Sequence, residues 1–144
     1  MKKIVTYFIT VLMLVLSTSS VYAGAAICIA KKETPRGHET DAEYFIHWDS
    51  SNKGYGSEKN VQQAYKSKYN GIPSCRSTGN LINGYFVIIS FAGTNYDGEP
   101  KLTYAFGYGL SQEEAQQDAI KELGRRNWSW RKSQGYKVEE IQEF

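Results

Sequence analysis

The sequence predicts an α+β fold, an antiparallel sheet with two helices packed on one face, in the order β-β-α-β-β-α-β. Three observations carry this expectation. Several segments have the length and branched or aromatic composition of strands. Two others place apolar residues at helical spacing behind a serine. The chain also repeats itself: Gly54-Tyr55-Gly56 and Gly107-Tyr108-Gly109 each precede a glutamine-rich run. Within those runs Ser57-x-x-x-Val61-Gln62-Gln63 matches Ser111-x-x-x-Ala115-Gln116-Gln117.

The elements follow in chain order. "GAAICIAK" (24–31) is a short apolar strand, and a turn-rich stretch with Pro35 and Gly37 follows it. "EYFIHWD" (43–49) is a second strand, dense in aromatic and branched residues. The first helix is expected over Glu58–Tyr69, with Val61, Ala64, Tyr65 and Lys68 at helical spacing and Asn70-Gly71 as its stop. A loop with Pro73, Cys75 and Gly79 comes next.

"GYFVIISFAG" (84–93), the most apolar run after residue 23, reads as a central strand buried on both faces. "TNYDGEP" is a hairpin connection around Asp97-Gly98. In "KLTYAFGYG" (101–109), Leu102, Tyr104, Phe106 and Tyr108 share one face; Thr103, Ala105 and two glycines share the other. The second helix opens with a Ser111/Glu114 capping box and a Leu110/Ala115 staple, and stops at Gly124. Its buried face is Ala115, Ala119, Ile120 and Leu123. "GYKVEEIQEF" closes the chain as an edge strand. Dropping the first strand leaves a ferredoxin-like order, whereas the repeat favours a duplicated β-β-α unit.

Residues 1–23 have the pattern of a signal peptide: Lys2 and Lys3, an apolar run from Ile4 to Leu16, then Val21-Tyr22-Ala23. The apolar run falls short of the about 20 residues that span a bilayer. A bulky Ile27 beside Cys28 argues against lipidation. Cleavage after Ala23 would leave one α+β domain over 24–144, periplasmic or extracellular, with no membrane span. The chain has 17 basic and 15 acidic residues, so losing Lys2 and Lys3 leaves 15 of each. A formally neutral domain exerts no overall pull on nucleic acid or anionic lipid. Cys28 and Cys75 are expected to pair, as an even number does in an exported chain.

Few residues carry chemistry. A Gly-x-Gly before a helix can cradle phosphate, but here a third glycine and a Gly-Lys-Ser/Thr are both missing. Glu113 and Glu114 also fill the helix's positive end. A tight strand-to-helix turn needing glycine dihedrals is the preferred reading. Over about 23 residues, "LTYAFGYGLSQEEAQQDAIKELG" resembles the last strand and helix of a double-stranded-RNA-binding domain. That family meets phosphates with a lysine cluster where Gln112, Glu113 and Glu114 stand, so shared β-β-α geometry is expected and nucleic acid is not. His47 and Asp49 could form a dyad on one strand face, the basis of an alternative reading as a small hydrolase. No metal-ligand or cofactor pattern appears.

The best surface candidate is the basic aromatic segment after the second helix: Arg125, Arg126, Trp128, Trp130 and Arg131. Such a patch suits a glycan, an acidic protein partner or a membrane face. Packing of the tryptophans at the edge of the core is the competing reading.

The chain after residue 23 resembles small exported bacterial domains of unknown function built from two β-β-α units. The residues carrying the likeness are Gly54-Tyr55-Gly56, Ala64, Gly107-Tyr108-Gly109, Ala115, Ala119 and the closing "GYKV". It implies export and a compact scaffold. The functional expectation is a non-enzymatic binding module, of which a periplasmic immunity or inhibitor protein is one version. An envelope structural protein is the other non-enzymatic alternative.

Overall fold

The computed structural model describes residues 24–49, 54–81 and 83–144; the expected signal peptide lies outside them. The elements are β1 (Gly24–Glu33), β2 (Glu39–Asp49), α1 (Gly54–Lys66), β3 (Ser74–Ser77), β4 (Tyr85–Thr94), β5 (Pro100–Gly109), α2 (Gln112–Arg126) and β6 (Lys137–Glu143). The α+β class and all seven predicted elements, in their predicted order, are present. An eighth, β3, occupies the stretch read as loop. It is four residues long, too short to show alternation, and it pairs antiparallel with β1.

The sheet differs from the expectation. There are two three-stranded antiparallel sheets, ordered β2-β1-β3 and β5-β4-β6, rather than one. The reason lies in the pairing. Both sides of β1 are taken by strands of its own half, and both sides of β4 by strands of its half, so no strand bridges the halves. Each sheet is then apolar on both faces and needs cover twice. Ala26, Cys28 and Ala30 of β1 pack under Val61 and Tyr65 of α1. Val87, Ile89 and Ala105 pack under Ala115, Ala119 and Leu123 of α2. The opposite faces meet each other, Ala25, Ile27 and Ile29 against Phe86, Ile88 and Phe106. Alternation along the strands therefore builds four layers, α-β-β-α, with the helices outside on opposite sides. A ferredoxin-like sheet is excluded because β1, the strand it would omit, is the centre of its sheet.

The duplication extends into the hairpins. Thr34-Pro35-Arg36-Gly37-His38 and Asn95-Tyr96-Asp97-Gly98-Glu99 are the same five-residue turn. The first residue's N–H donates to the fifth's carbonyl, at 2.8 Å and 2.9 Å, and Gly37 and Gly98 each donate back to the first. Both glycines sit at positive φ, 81° and 77°, where a side chain is strained.

The two Gly-Tyr-Gly copies, by contrast, are not equivalent. Gly54-Tyr55-Gly56 forms the first turn of α1, while Gly107 and Gly109 end strand β5. None of the positive-φ glycines belongs to either motif. Proximity, not dihedral freedom, explains Gly107: a Cβ there would stand 2.1 Å from the Ala119 nitrogen. The first helix starts four residues and ends three residues earlier than expected, and Ala64 and Lys68 are exposed. Ser57 lies inside it, donating to the Gly24 carbonyl at 2.9 Å. The second helix runs through Gly124 to Arg126 and is closed by Asn127, whose N–H donates to the Leu123 carbonyl. Ser111 accepts from the Glu114 N–H, but the Glu114 carboxylate returns to the N–H of Leu110 rather than Ser111. Leu110 is 70% exposed, so the expected staple does not form.

Cys28 and Cys75 are directly opposite each other on β1 and β3 and form a disulfide beneath α1. Among the described residues, no helix is long and apolar enough to cross a membrane.

Candidate binding groove

The groove lies where the two halves meet beside the end of α2. Its floor is set by a bulge in β2. Pairing with β1 jumps from Ala30↔Glu43 to Lys31↔Asp41, leaving Ala42 as the extra residue. Beyond the bulge Thr40 and Asp41 are both buried. Their side chains take over the edge of β5: Leu102 N–H donates to Thr40 Oγ1 at 2.8 Å, and Tyr104 N–H to Asp41 Oδ2 at 2.7 Å. Arg126 donates to both Asp41 oxygens at 3.1 Å. Burial pushes the Asp41 carboxyl above the usual carboxylate range, despite Arg126 and the Tyr104 N–H acting to lower it.

The hairpin tips close one end. Thr34 Oγ1 donates to Glu99 at 2.7 Å, the Arg36 N–H to the same carboxylate at 3.1 Å, and Arg36 Nη1 to the Asp97 carbonyl at 3.2 Å. His38 Nε2 bonds Asp97, and its ring meets Tyr96 edge-on at 5.0 Å between centroids. Burial raises Glu99, but hydrogen bonds from Thr34, Asn95 and Arg36 outweigh it and hold the carboxyl below its ordinary value.

Two cavities share this junction. One, about 450 Å³, is lined by His38, Asn95, Tyr96, Trp128 and Ser129, with Glu39 and Lys101 on its border. The second, about 310 Å³, also touches Glu39 and Lys101 and carries Lys31, Arg125 and Arg126. Together they make one groove with an aromatic part and a cationic part. Lys31 pairs with Glu39, Arg125 with Glu122 and Arg126 with Asp41. Among the described residues, Lys101 has no acid within ion-pair distance, and it lines both cavities.

The five predicted binding residues therefore separate. Trp130 is 6% exposed, packs on the α2 core and donates its Nε1–H to the Gly135 carbonyl at 2.8 Å. Arg131 is spent on the carbonyls of Trp128 and Trp130, at 2.7 Å and 2.9 Å. Arg126 is occupied by Asp41. Arg125 lies open at the rim, and Trp128, 71% exposed, stands at the aromatic cavity. The inward turn of Asn127, whose Nδ2 donates to Thr103 Oγ1 at 3.0 Å, separates the two tryptophans. That contact also buries Asn127.

Sequence reasoning missed Lys101, Tyr96 and His38. For Tyr96 and His38 the available signal was the equivalence of the two glycine turns, which would have placed both tips together. His47 lies under α1 instead, its Nε2 3.4 Å from Asn60 Nδ2, and neither it nor Asp49 lines the groove.

No family model matches this chain, and no curated protein or solved structure matches it significantly.

Proposed function

We propose that the protein is an exported, non-enzymatic binding module that works through the groove between its hairpin tips and the end of α2. The observation that carries this reading is the pairing of Trp128 with Lys101 on one cavity. An open indole stands beside an ammonium that has no ion pair among the described residues, while the neighbouring Lys31, Arg125 and Arg126 are each paired. Rigid aromatic surface with an adjacent cation suits recognition. Export is supported by the Lys2 to Ala23 pattern and by a disulfide, which persists in oxidising compartments. An inhibitor or immunity protein would be one such module.

The test is capture from an envelope extract, comparing the wild-type domain with Trp128→Ala and Lys101→Glu. Trp128 is exposed, so Trp128→Ala should leave thermal unfolding unchanged. Lys101 lies near the buried Asp41 and favours its charged form, so retention of the fold by Lys101→Glu is checked by circular dichroism. Partners retained by the wild type should be lost from both variants. Undiminished retention by both would place function elsewhere.

A further inference from the structure

We infer that the groove takes an acidic saccharide, with a sugar ring on Trp128 and a carboxylate on Lys101; this rests on the binding-module reading above. The aromatic cavity is bordered by two exposed rings, Trp128 and Tyr96, the latter 76% exposed. Pyranose faces are apolar and flat and stack on such rings, while hydroxyls need mixed donors and acceptors around them. His38, Glu39, Asn95 and Ser129 border the same cavity. Each already bonds within the protein, to Asp97, Lys31, Glu99 and Asn127, and the donor and acceptor positions left over on them supply that mixture. Lys101 stands between this part and the cationic part, where a carboxylate on the ring would meet it.

Two other ligand classes fit less well. A compact phosphate calls for backbone N–H groups at a helix N-terminus. The helix end here is the C-terminus of α2, which presents carbonyls and no free N–H groups, so an anion in this groove is held by side chains such as Lys101. An extended peptide calls for an open strand edge. The β5 edge is already taken, its Leu102 and Tyr104 N–H groups being bonded to Thr40 and Asp41.

The experiment is calorimetric titration of the domain with a uronic-acid tetrasaccharide, its methyl-esterified neutral counterpart and a tetraglutamate peptide. The acidic sugar should bind, and esterification should weaken it by about tenfold, the value of one charge-assisted contact. Lys101→Ala should lose a similar factor for the acidic sugar and none for the ester. Trp128→Ala should weaken both sugars and unfold at the wild-type temperature, and Lys101→Ala should retain the fold by circular dichroism. Tetraglutamate binding as tightly as the sugar would overturn the proposal, as would equal affinity for acid and ester. A wild-type domain that binds neither sugar overturns it too. If envelope capture still depended on Trp128, the binding-module reading would then survive on its own.

Discussion

Gly107 lies so close beneath α2 that a Cβ there would stand 2.1 Å from the Ala119 nitrogen and 2.2 Å from the Ala115 carbonyl oxygen. Helix and strand meet backbone to backbone, and the small face of Ala115 and Ala119 permits the approach. Gly107→Ala should push the helix outward and cost about 3 kcal/mol, the upper range for overpacking. Gly124 is the control. It lies within α2, and a Cβ there meets only Trp130 carbons at 3.9 Å. Gly124→Ala should stabilise by up to about 1 kcal/mol through helix propensity. Urea melts of both variants read the opposite signs; two losses of equal size would refute the contact argument.

Asp41 and Arg126 tie β2 to the end of α2. Asp41→Ala leaves the Tyr104 N–H and a largely buried guanidinium without their acceptor, at a cost of about 3 kcal/mol. Arg126→Ala should cost less, since the Tyr104 N–H remains to hold the carboxylate. The double variant should fall well short of the sum, because the second deletion removes a charge already stranded. Additive losses in denaturant melts would show that the pair does not couple.

Cys28 and Cys75 close a sequence separation of 47 residues. Constraint of the unfolded chain by a loop of that size is worth about 4 kcal/mol. The double Cys→Ala variant should therefore melt at distinctly lower urea, with the fold retained by circular dichroism. A melt unchanged by reductant would contradict this.

Acid should loosen the clasp between the tips. Glu99 has its folded value depressed, so its stabilisation is present above the ordinary glutamate value of 4.5 and is lost as pH falls through the folded value. Glu99→Gln should lower the melting temperature at pH 7, and the gap to wild type should close toward acid. The Arg36 amide resonance should titrate with Glu99 in the wild type. A gap that stayed constant with pH would remove Glu99 from the clasp.

Much of the fold was legible because β1 and β4 are apolar runs of strand length, β5 alternates, and α2 has a strong N-cap. Phe106 and Ala105 fall on the two faces that the alternation of β5 assigned them. The stacking of two sheets was not legible, because it depends on which strands fill the two sides of β1 and β4, a non-local choice. β3 escaped for the same reason: four residues between Pro73 and Gly79 become a strand only because β1 offers a free edge. At the groove, Trp128 and Trp130 have the same local chemistry. Only the inward turn of Asn127 onto Thr103 decides which indole is buried. Lys101 gave no signal at all, since its availability is defined by partners absent from its surroundings.

The most direct test is fluorine NMR of protein labelled with 5-fluorotryptophan, which reports Trp48, Trp128 and Trp130 separately. On titration with the uronic-acid tetrasaccharide, the Trp128 resonance should move, while the buried Trp130 and the distant-strand Trp48 stay in place. Lys101→Ala should displace that movement to about tenfold higher ligand concentration. Movement of Trp48 alone, with Trp128 silent, would contradict a binding seat in this groove.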